Sequence, residues 1–409
     1  MKPTAKIKIQ KSLLFDALKN ASRTHLCTSR RFNKEIPIIF SCFVFEPRRS
    51  EMEVSTSDYE SFTSIPVPTL SRKGNPGKFA IMIEDLLPVM RKLDDQELTI
   101  DVYEYQAAFR HSFGTFTVPL VTENIDFFFQ RRGLFESCKT NHALEVEIPF
   151  FRSMLNRLCK YTAQDEFYPT LNGISVKRRA GKVEYTASNG HRLMLISKQD
   201  QDCTFESSLI IPNKIIAALR RTLPSTGFLT LEYSSPQEDK KEKPICRIRV
   251  EDGLSLLFFY PQNKYPDYTK VIPKSSQHEI IIGRKALVDS LNRISLFADL
   301  RKIVLGKVTK GQIQMLACDK DLQLEASETI PCEYNGCSFS VGIKIDNLLP
   351  ILSSIRSKDV RIQVGGNGKT IVITPDVQPD NETITTIFMP CFIENEEDFK
   401  LPKIKKIEQ

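Results

Sequence analysis

Tryptophan is absent from the 409 residues, and histidine appears only five times. Without Trp, and with the remaining aromatics set apart from the basic residues, the chain offers no platform on which single-stranded bases would stack. The histidines are His25, His111, His142, His191 and His278, none of them in a recognised nucleophile or metal motif. There is no G-x-S-x-G and no Walker-type glycine loop. An enzyme is therefore left without its nucleophile, base and orienter, and no catalytic residue is expected. Ten cysteines are scattered from Cys27 to Cys391 with no C-x-x-C pair, and Cys332 and Cys337 lack a matching second pair. That excludes the tight paired spacing of a zinc site, so no metal and no cofactor are expected. Scattered free thiols fit a reducing compartment. No apolar run approaches the roughly 20 residues of a membrane span. The first residues, MKPTAKIKIQKSLLFDALKN, lack the apolar core and cleavage site of a signal peptide. The expectation is a cytoplasmic protein with no membrane partner.

What is present is an ordinary globular composition, 41% hydrophobic and 26% charged. The length suits two to four domains of about 100–200 residues. The formal charge is +7, from 57 basic against 50 acidic residues. Such a charge permits contact with nucleic acid, and the placement of the cations decides whether it occurs.

The chain repeats itself. A short alternating strand followed by an amphipathic helix is read three times, in KIKIQKSLLFDALKNASR from Lys6, EVEIPFFRSMLNRLCKYT from Glu145 and EIIIGRKALVDSLNRISL from Glu279. A second trio interleaves with it, starting at Gly77, Ser207 and Cys337. The spacing within each trio is about 130–140 residues, which suits whole domains rather than a solenoid. Leu14 and Leu18, Leu155 and Leu158, and Leu287 and Leu291 each fall three or four apart, on one helix face. The runs from Leu98, Leu229 and Val360 alternate as half-buried strands do. The fold class expected is α+β, with three repeated domains of two helices on antiparallel sheet. The boundaries expected are 1–138, 139–272 and 273–395, with a charged tail at 396–409. Linkers are placed near Ser137–Asn141 and Pro273–Gln277, and a charged loop at Gln237–Lys243.

Each of the six repeat helices carries cations toward its C-terminal end. They are Lys19 and Arg23, Arg91 and Lys92, Arg157 and Lys160, Arg220 and Arg221, Arg293, and Arg356 with Lys358. For any one helix the macrodipole explains this, since a cation there gains about 0.3–1 kcal/mol. Six recurrences would form a stripe if the domains lie in an arc, and evenly spaced phosphates would suit it. No base-reading element accompanies them. Sequence-independent contact with double-stranded DNA is expected at Lys19, Arg23, Arg157, Lys160, Arg220, Arg221, Arg293 and Arg356.

Three further segments carry a family resemblance on top of this repeat. The first is TLNGISV at Thr170–Val176 with TASNGHRLML at Thr186–Leu195. The second is KYPDYTKVIP at Lys264–Pro273, and the third is IFMPCFI at Ile387–Ile393. In this order they resemble the bacterial DNA polymerase III β subunit, the sliding clamp, over about Met1–Ile393. The chain departs from that pattern at Tyr168, at Asn189, and after Pro390, where Cys391, Phe392, Ile393 and sixteen further residues follow.

The resemblance implies half of a closed ring, completed by a head-to-tail homodimer around duplex DNA. It implies a pocket for partner peptides built from Leu171, Ser188, Gly190, His191, Arg192 and Leu193, from Pro266, Lys270 and Val271, and from Ile387, Phe388, Met389 and Pro390. Leu, Val, Ile, Phe and Met around a few polar groups suit apolar peptide anchors. On the residues alone, His191 reads as a structural histidine, and Asp267 and Tyr268 as residues that fix a turn. By the same resemblance, Phe116 and Val118 of one copy meet Leu296 and Phe297 of the other. The implied partners are DNA polymerase III and other polymerases, a clamp loader, and repair proteins with clamp-binding peptides. Two alternatives stand beside this: a paralogue that binds peptides without loading on DNA, and, more remotely, a cysteine or histidine hydrolase.

Overall fold

The computed structural model describes residues 2–24, 37–165, 167–200, 206–235, 243–273, 275–365, 370–393 and 395–401. The charged loop at Gln237–Lys243, Lys243 apart, and residues 402–409 of the tail lie outside the described residues.

Seven α-helices occur among the described residues: α1 (Lys11–Thr24), α2 (Ile83–Lys92), α3 (Ile125–Ser137), α4 (Ile148–Leu158), α5 (Asn213–Thr222), α6 (Arg284–Ile294) and α7 (Ile345–Ser354). Six are the repeat helices expected from the sequence. Each buries the face its leucine spacing defines: Leu14 and Leu18 in α1, Leu155 and Leu158 in α4, Leu287 and Leu291 in α6. The strands expected from Leu98, Leu229 and Val360 are Glu97–Val102, Phe228–Tyr233 and Asp359–Gly365. Helix α3 was not expected, and it covers the stretch just before the linker placed at Ser137–Asn141.

The chain divides into two compact units, one of Met1–Asn156 with Ser207–Lys264, the other of Arg157–Glu206 with Tyr265–Gln409. Residues of the middle sequence repeat thus belong to both units. The first unit holds a five-stranded sheet, in the order Ser71–Gly74, Ala5–Gln10, Glu97–Val102, Gln106–His111, Gly114–Pro119. It also holds an eight-stranded sheet, in the order His142–Glu147, Phe228–Tyr233, Ile245–Val250, Ser255–Phe259, Ser61–Pro68, Glu51–Ser57, Cys42–Pro47, Phe79–Met82. Helices α1 and α5 pack together in this unit.

In the second unit the strand order begins Gly173–Arg179, Lys182–Ser188, Arg192–Gln199, Glu382–Phe388, Ile371–Pro375, Asp359–Gly365, Ser276–Gly283. It continues through Leu324–Glu333, Gln312–Asp319, Ile303–Thr309 and Phe339–Lys344. The pairings within each of these sheets are antiparallel. An α+β fold of helices on antiparallel sheet is the class the repeat implied.

After Pro390 the chain does not end. Cys391 forms an antiparallel bridge to Gly342 on the strand Phe339–Lys344, with Cys391 N–H donating to the Gly342 carbonyl at 2.9 Å. A Cβ on Gly342 would sit 2.6 Å from the Cys391 carbonyl oxygen, so only glycine lets the segment cross this closely. Beyond it Glu396 pairs with Lys307 and Asp398 with Lys320.

Candidate functional site

Within the second unit, several segments remote in sequence meet at one concavity of about 180 Å³. The 3₁₀ turn Pro169–Leu171 supplies Leu171. The hairpin between Lys182–Ser188 and Arg192–Gln199 supplies Ser188 and Gly190 to Leu193. The stretch Tyr265–Tyr268 with Val271 lies opposite, and Ile387, Met389 and Thr370 close the ring of walls.

Local chemistry sets the hairpin. Gly190 has φ +85°, a conformation that L side chains rarely adopt. The Asn189 side chain accepts from the backbone N–H groups of His191 and Arg192 at 3.1 and 3.0 Å. Ser188 Oγ donates to the Arg192 carbonyl at 3.1 Å. These bonds do what Asx and Ser side chains do in turns, satisfying backbone groups that the strands leave open. The exposed His191 gives its carbonyl to Met389 N–H at 3.1 Å, which ties the hairpin to the last strand. Leu193 pairs in register with Ile387.

The opposite wall rests on one carboxylate. Tyr268 is buried against Leu193, Val372 and Ile387. Its hydroxyl donates to Glu184, which also holds Arg179 at 2.9 Å. Burial, and then the bond to Glu184, push the Tyr268 phenol well above its ordinary value. Asp267 accepts from Thr269 N–H at 3.1 Å and from the Thr269 hydroxyl at 2.6 Å, capping the turn Tyr268–Val271. Those bonds hold its carboxyl below the usual range. The turn-fixing role read for Asp267 and Tyr268 is what the structure shows, and both also line the concavity.

Arg192 is half-buried and committed to its own chain. One terminal nitrogen donates to the Asp346 carbonyl at 2.7 Å, the other to the Lys160 carbonyl at 2.6 Å. Its guanidinium lies 5.7 Å from the Tyr161 ring centre, and its Nε is buried without a partner. Burial holds the guanidinium below its ordinary value. It is therefore a strut of the pocket wall.

Ten of the thirteen residues expected at the pocket line it, and three do not. Phe388 follows Ile387 on an extended strand, so its side chain takes the opposite face and enters the core beside Leu287 and Ile373. Lys270 is exposed on the 3₁₀ turn, and Pro390 lies past the wall that Met389 forms. Tyr265, Asp267, Tyr268 and Thr370 line it without having been expected there. The Y-P-D-Y run was the signal for the first three. Thr370 carried none, because it sits next to a strand edge with no motif around it.

The expected phosphate contacts divide by environment. In the first unit Arg220 and Arg221 are exposed on α5, and Lys19 and Arg23 are half-exposed on α1. Arg23 donates to the Arg221 carbonyl at 2.8 Å, and Arg220 to Asn156 at 2.6 Å. In the second unit Lys160 and Arg356 are exposed past the ends of α4 and α7. Two cations depart from the expectation of free charge. Arg157 is largely buried and paired with Glu382 at 3.0 Å, and Arg293 is held by both oxygens of Glu328 at 2.7 Å.

At the expected subunit contacts, Phe116 lies on the edge strand Gly114–Pro119 and stacks on Phe109 at 4.9 Å. Val118 is already covered within its own unit, while the neighbouring Phe113 is 89% exposed. In the second unit Leu296 is exposed, Phe297 is half-buried, and Leu300 and Leu322 are fully or largely open to solvent. No helix among the described residues is long and apolar enough to cross a membrane, and no described group of His, Cys, Asp and Glu could hold a metal ion.

The same architecture is found in solved sliding clamps. The DNA polymerase sliding clamp of Pseudomonas aeruginosa matches with a TM-score of 0.81 at 18% identity, over 95% of this chain and 100% of that one. A sliding clamp from the same organism bound to griselimycin matches with 0.82 at 18% identity. The fold is therefore the sliding-clamp fold. Residues 269–392 match the family described as DNA polymerase III beta subunit, C-terminal domain. Over a longer span the chain is similar to beta sliding clamps. It is 23% identical to that of Treponema pallidum over 351 residues, 83% of this chain and 89% of the relative. It is also 23% identical to that of Pseudomonas putida over 329 residues, 78% and 83% of the two chains.

Proposed function

We propose that this chain is a DNA sliding clamp, a non-enzymatic processivity factor that closes with a second copy into a ring around duplex DNA. In it three sequence domains, 1–138, 139–272 and 273–395, would form half the ring. The observation that carries the reading is the pocket. Leu171, the Ser188–Leu193 hairpin, the Pro266–Val271 segment and Ile387 with Met389 converge on one apolar concavity, on a fold shared with sliding clamps. Its walls suit a short peptide with two bulky apolar side chains, each worth about 1.5–3 kcal/mol on burial. Ordering costs reduce that sum, which gives the modest affinity that exchanging partners need. Polymerases, a clamp loader and repair proteins are the partners such a pocket would serve.

Lys19, Arg23, Lys160, Arg220, Arg221 and Arg356 are the cations left to meet phosphates, and Arg157 and Arg293 would do so only by giving up their carboxylates. Ring closure would pair the edge bearing Phe113 and Phe116 with the surface bearing Leu296, Leu300 and Leu322 of the other copy. A cytoplasmic location follows from a role on DNA. The test has two arms. Leu193→Ala with Met389→Ala should weaken binding of a labelled polymerase-derived peptide at least tenfold by fluorescence anisotropy, and should leave the sedimenting mass unchanged. Unchanged peptide affinity in the folded double variant would sink the pocket assignment. A monomer at micromolar concentration would sink the ring. A paralogue that binds peptides without loading would pass both arms and still fail to support processive synthesis with a clamp loader.

A further inference from the structure

The eight-stranded sheet of the first unit and the first seven strands of the second are the same construction. Ser57 pairs with Phe62 as Ser188 pairs with Leu193, and Phe62 pairs with Leu257 as Leu193 pairs with Ile387. The turns agree bond for bond. Asp58 accepts from the N–H groups of Glu60 and Ser61, as Asn189 does from His191 and Arg192. Ser57 Oγ donates to the Ser61 carbonyl, as Ser188 Oγ does to that of Arg192. Beneath each turn is one ion pair, Arg48 with Glu53 at 2.8 Å and Arg179 with Glu184 at 2.9 Å. By this register Phe40, Phe62 and Phe259 stand where Leu171, Leu193 and Met389 line the pocket of the second unit.

The first unit therefore contains a second copy of the pocket, and that copy is full. Its occupant is α3. Phe128 and Phe135, seven residues apart on one helix face, are completely buried in it. Phe128 meets Phe62 at 5.3 Å and Phe40 at 6.0 Å, and Phe135 meets Phe62 at 5.0 Å and Phe259 at 4.1 Å between ring centres. Arg132 reaches the Glu53 carboxylate, the counterpart of the group that anchors Tyr268. Arg131 lies over the Tyr59 ring at 3.8 Å and donates to the Tyr59 carbonyl at 3.3 Å. One segment thus takes the apolar floor, the carboxylate and the turn carbonyl together, as a bound peptide would.

We propose that the groove of the first unit is a second peptide-binding site of this chain, and that α3 is its resident ligand. The ligand class is a short aromatic-rich helix with phenylalanines at positions i and i+7 and arginines between them. The counterpart in the second unit keeps a concavity of about 180 Å³, because its segment is one 3₁₀ turn that brings Tyr268 to the carboxylate and against Leu193 and Ile387 without filling the rest of the floor. The proposal rests on the reading of that open groove as a partner site.

The test uses the full chain carrying Leu193→Ala and Met389→Ala, so that binding at the open groove does not contribute. Protease sites are placed at 121–123 and at 138–140, and the protein is cut at both after folding. If α3 is a ligand, the cut protein stays folded by circular dichroism and retains the 125–137 peptide through gel filtration. It also exchanges that peptide for a labelled copy with one-to-one stoichiometry. A labelled copy with Phe128→Ala and Phe135→Ala should bind at least tenfold more weakly. Unfolding on cleavage, loss of the peptide without rebinding, or equal binding of the doubly substituted copy would each overturn the proposal. Failure of the open-groove reading shows separately, in the peptide titration of the uncut protein.

Discussion

Tyr59 and Gly190 occupy the same position in two copies of one turn, at φ +75° and +85°. The hydrogen bonds around them match, so the backbone is set by the Asp or Asn and the Ser that flank it. The residue at the turn does not set it. In the first unit the left-handed position is given to a tyrosine, whose strain is compensated by stacking with Arg131 and Phe127. In the second it is given to glycine, and a Cβ there would meet nothing within 4 Å. The comparison separates two questions that one pocket alone would confound. Backbone geometry makes a groove, and the bulk of the side chains and the length of the crossing segment decide whether it is open.

The largest effect that would sharpen this contrast is loss of the filling side chain. Phe128→Ala should destabilise the first unit by about 3–5 kcal/mol in urea unfolding, because a buried ring is removed from a close-packed cluster. A cost below about 1 kcal/mol would mean that α3 is not seated as described. Next come the two carboxylates. Glu53→Gln leaves the largely buried Arg132 without its main counter-charge and should cost about 3 kcal/mol. Glu184→Gln removes the charge from the Tyr268 bond and from the partly exposed Arg179 pair and should cost about 1–2 kcal/mol. The reverse order would break the equivalence of the two anchors. Gly190→Tyr should carry the first groove's closure into the second. We expect a stability cost of about 1–2 kcal/mol from the left-handed backbone and a several-fold loss of peptide affinity by anisotropy. Tyr59→Gly should be the mildest, within about 1 kcal/mol of wild type, since relief of strain offsets lost stacking.

The same contrast explains what the sequence made legible. Six helices were readable because each has one apolar stripe at three- and four-residue spacing, as Leu287 and Leu291 do in α6. Helix α3 was not, because Phe127, Phe128 and Phe129 place apolar rings on all sides and no stripe emerges. Its helicity is fixed by what it fits into, which is a tertiary fact. At the pocket, three linear motifs located most of the walls. They could not tell Ile387 from Phe388, since a motif ignores the two-residue alternation of a strand. Nor could composition foresee that Arg157 and Arg293 are held by Glu382 and Glu328. Those carboxylates lie 225 and 35 residues away in sequence.

Met389 has a further property that follows from its neighbours. Its amide is fastened to the His191 carbonyl, and two residues later the Cys391 amide is fastened to Gly342. The pocket's last wall is thus a taut span between two moorings rather than a loose chain end. A load on this span would be carried into the Ser188–Arg192 hairpin and the strand Phe339–Lys344 at once. Amide exchange at Met389 and Cys391 should accordingly be slow, protected at a level approaching that of the strand Glu382–Phe388, and should quicken at Cys391 first when Gly342→Val pushes the outer mooring off.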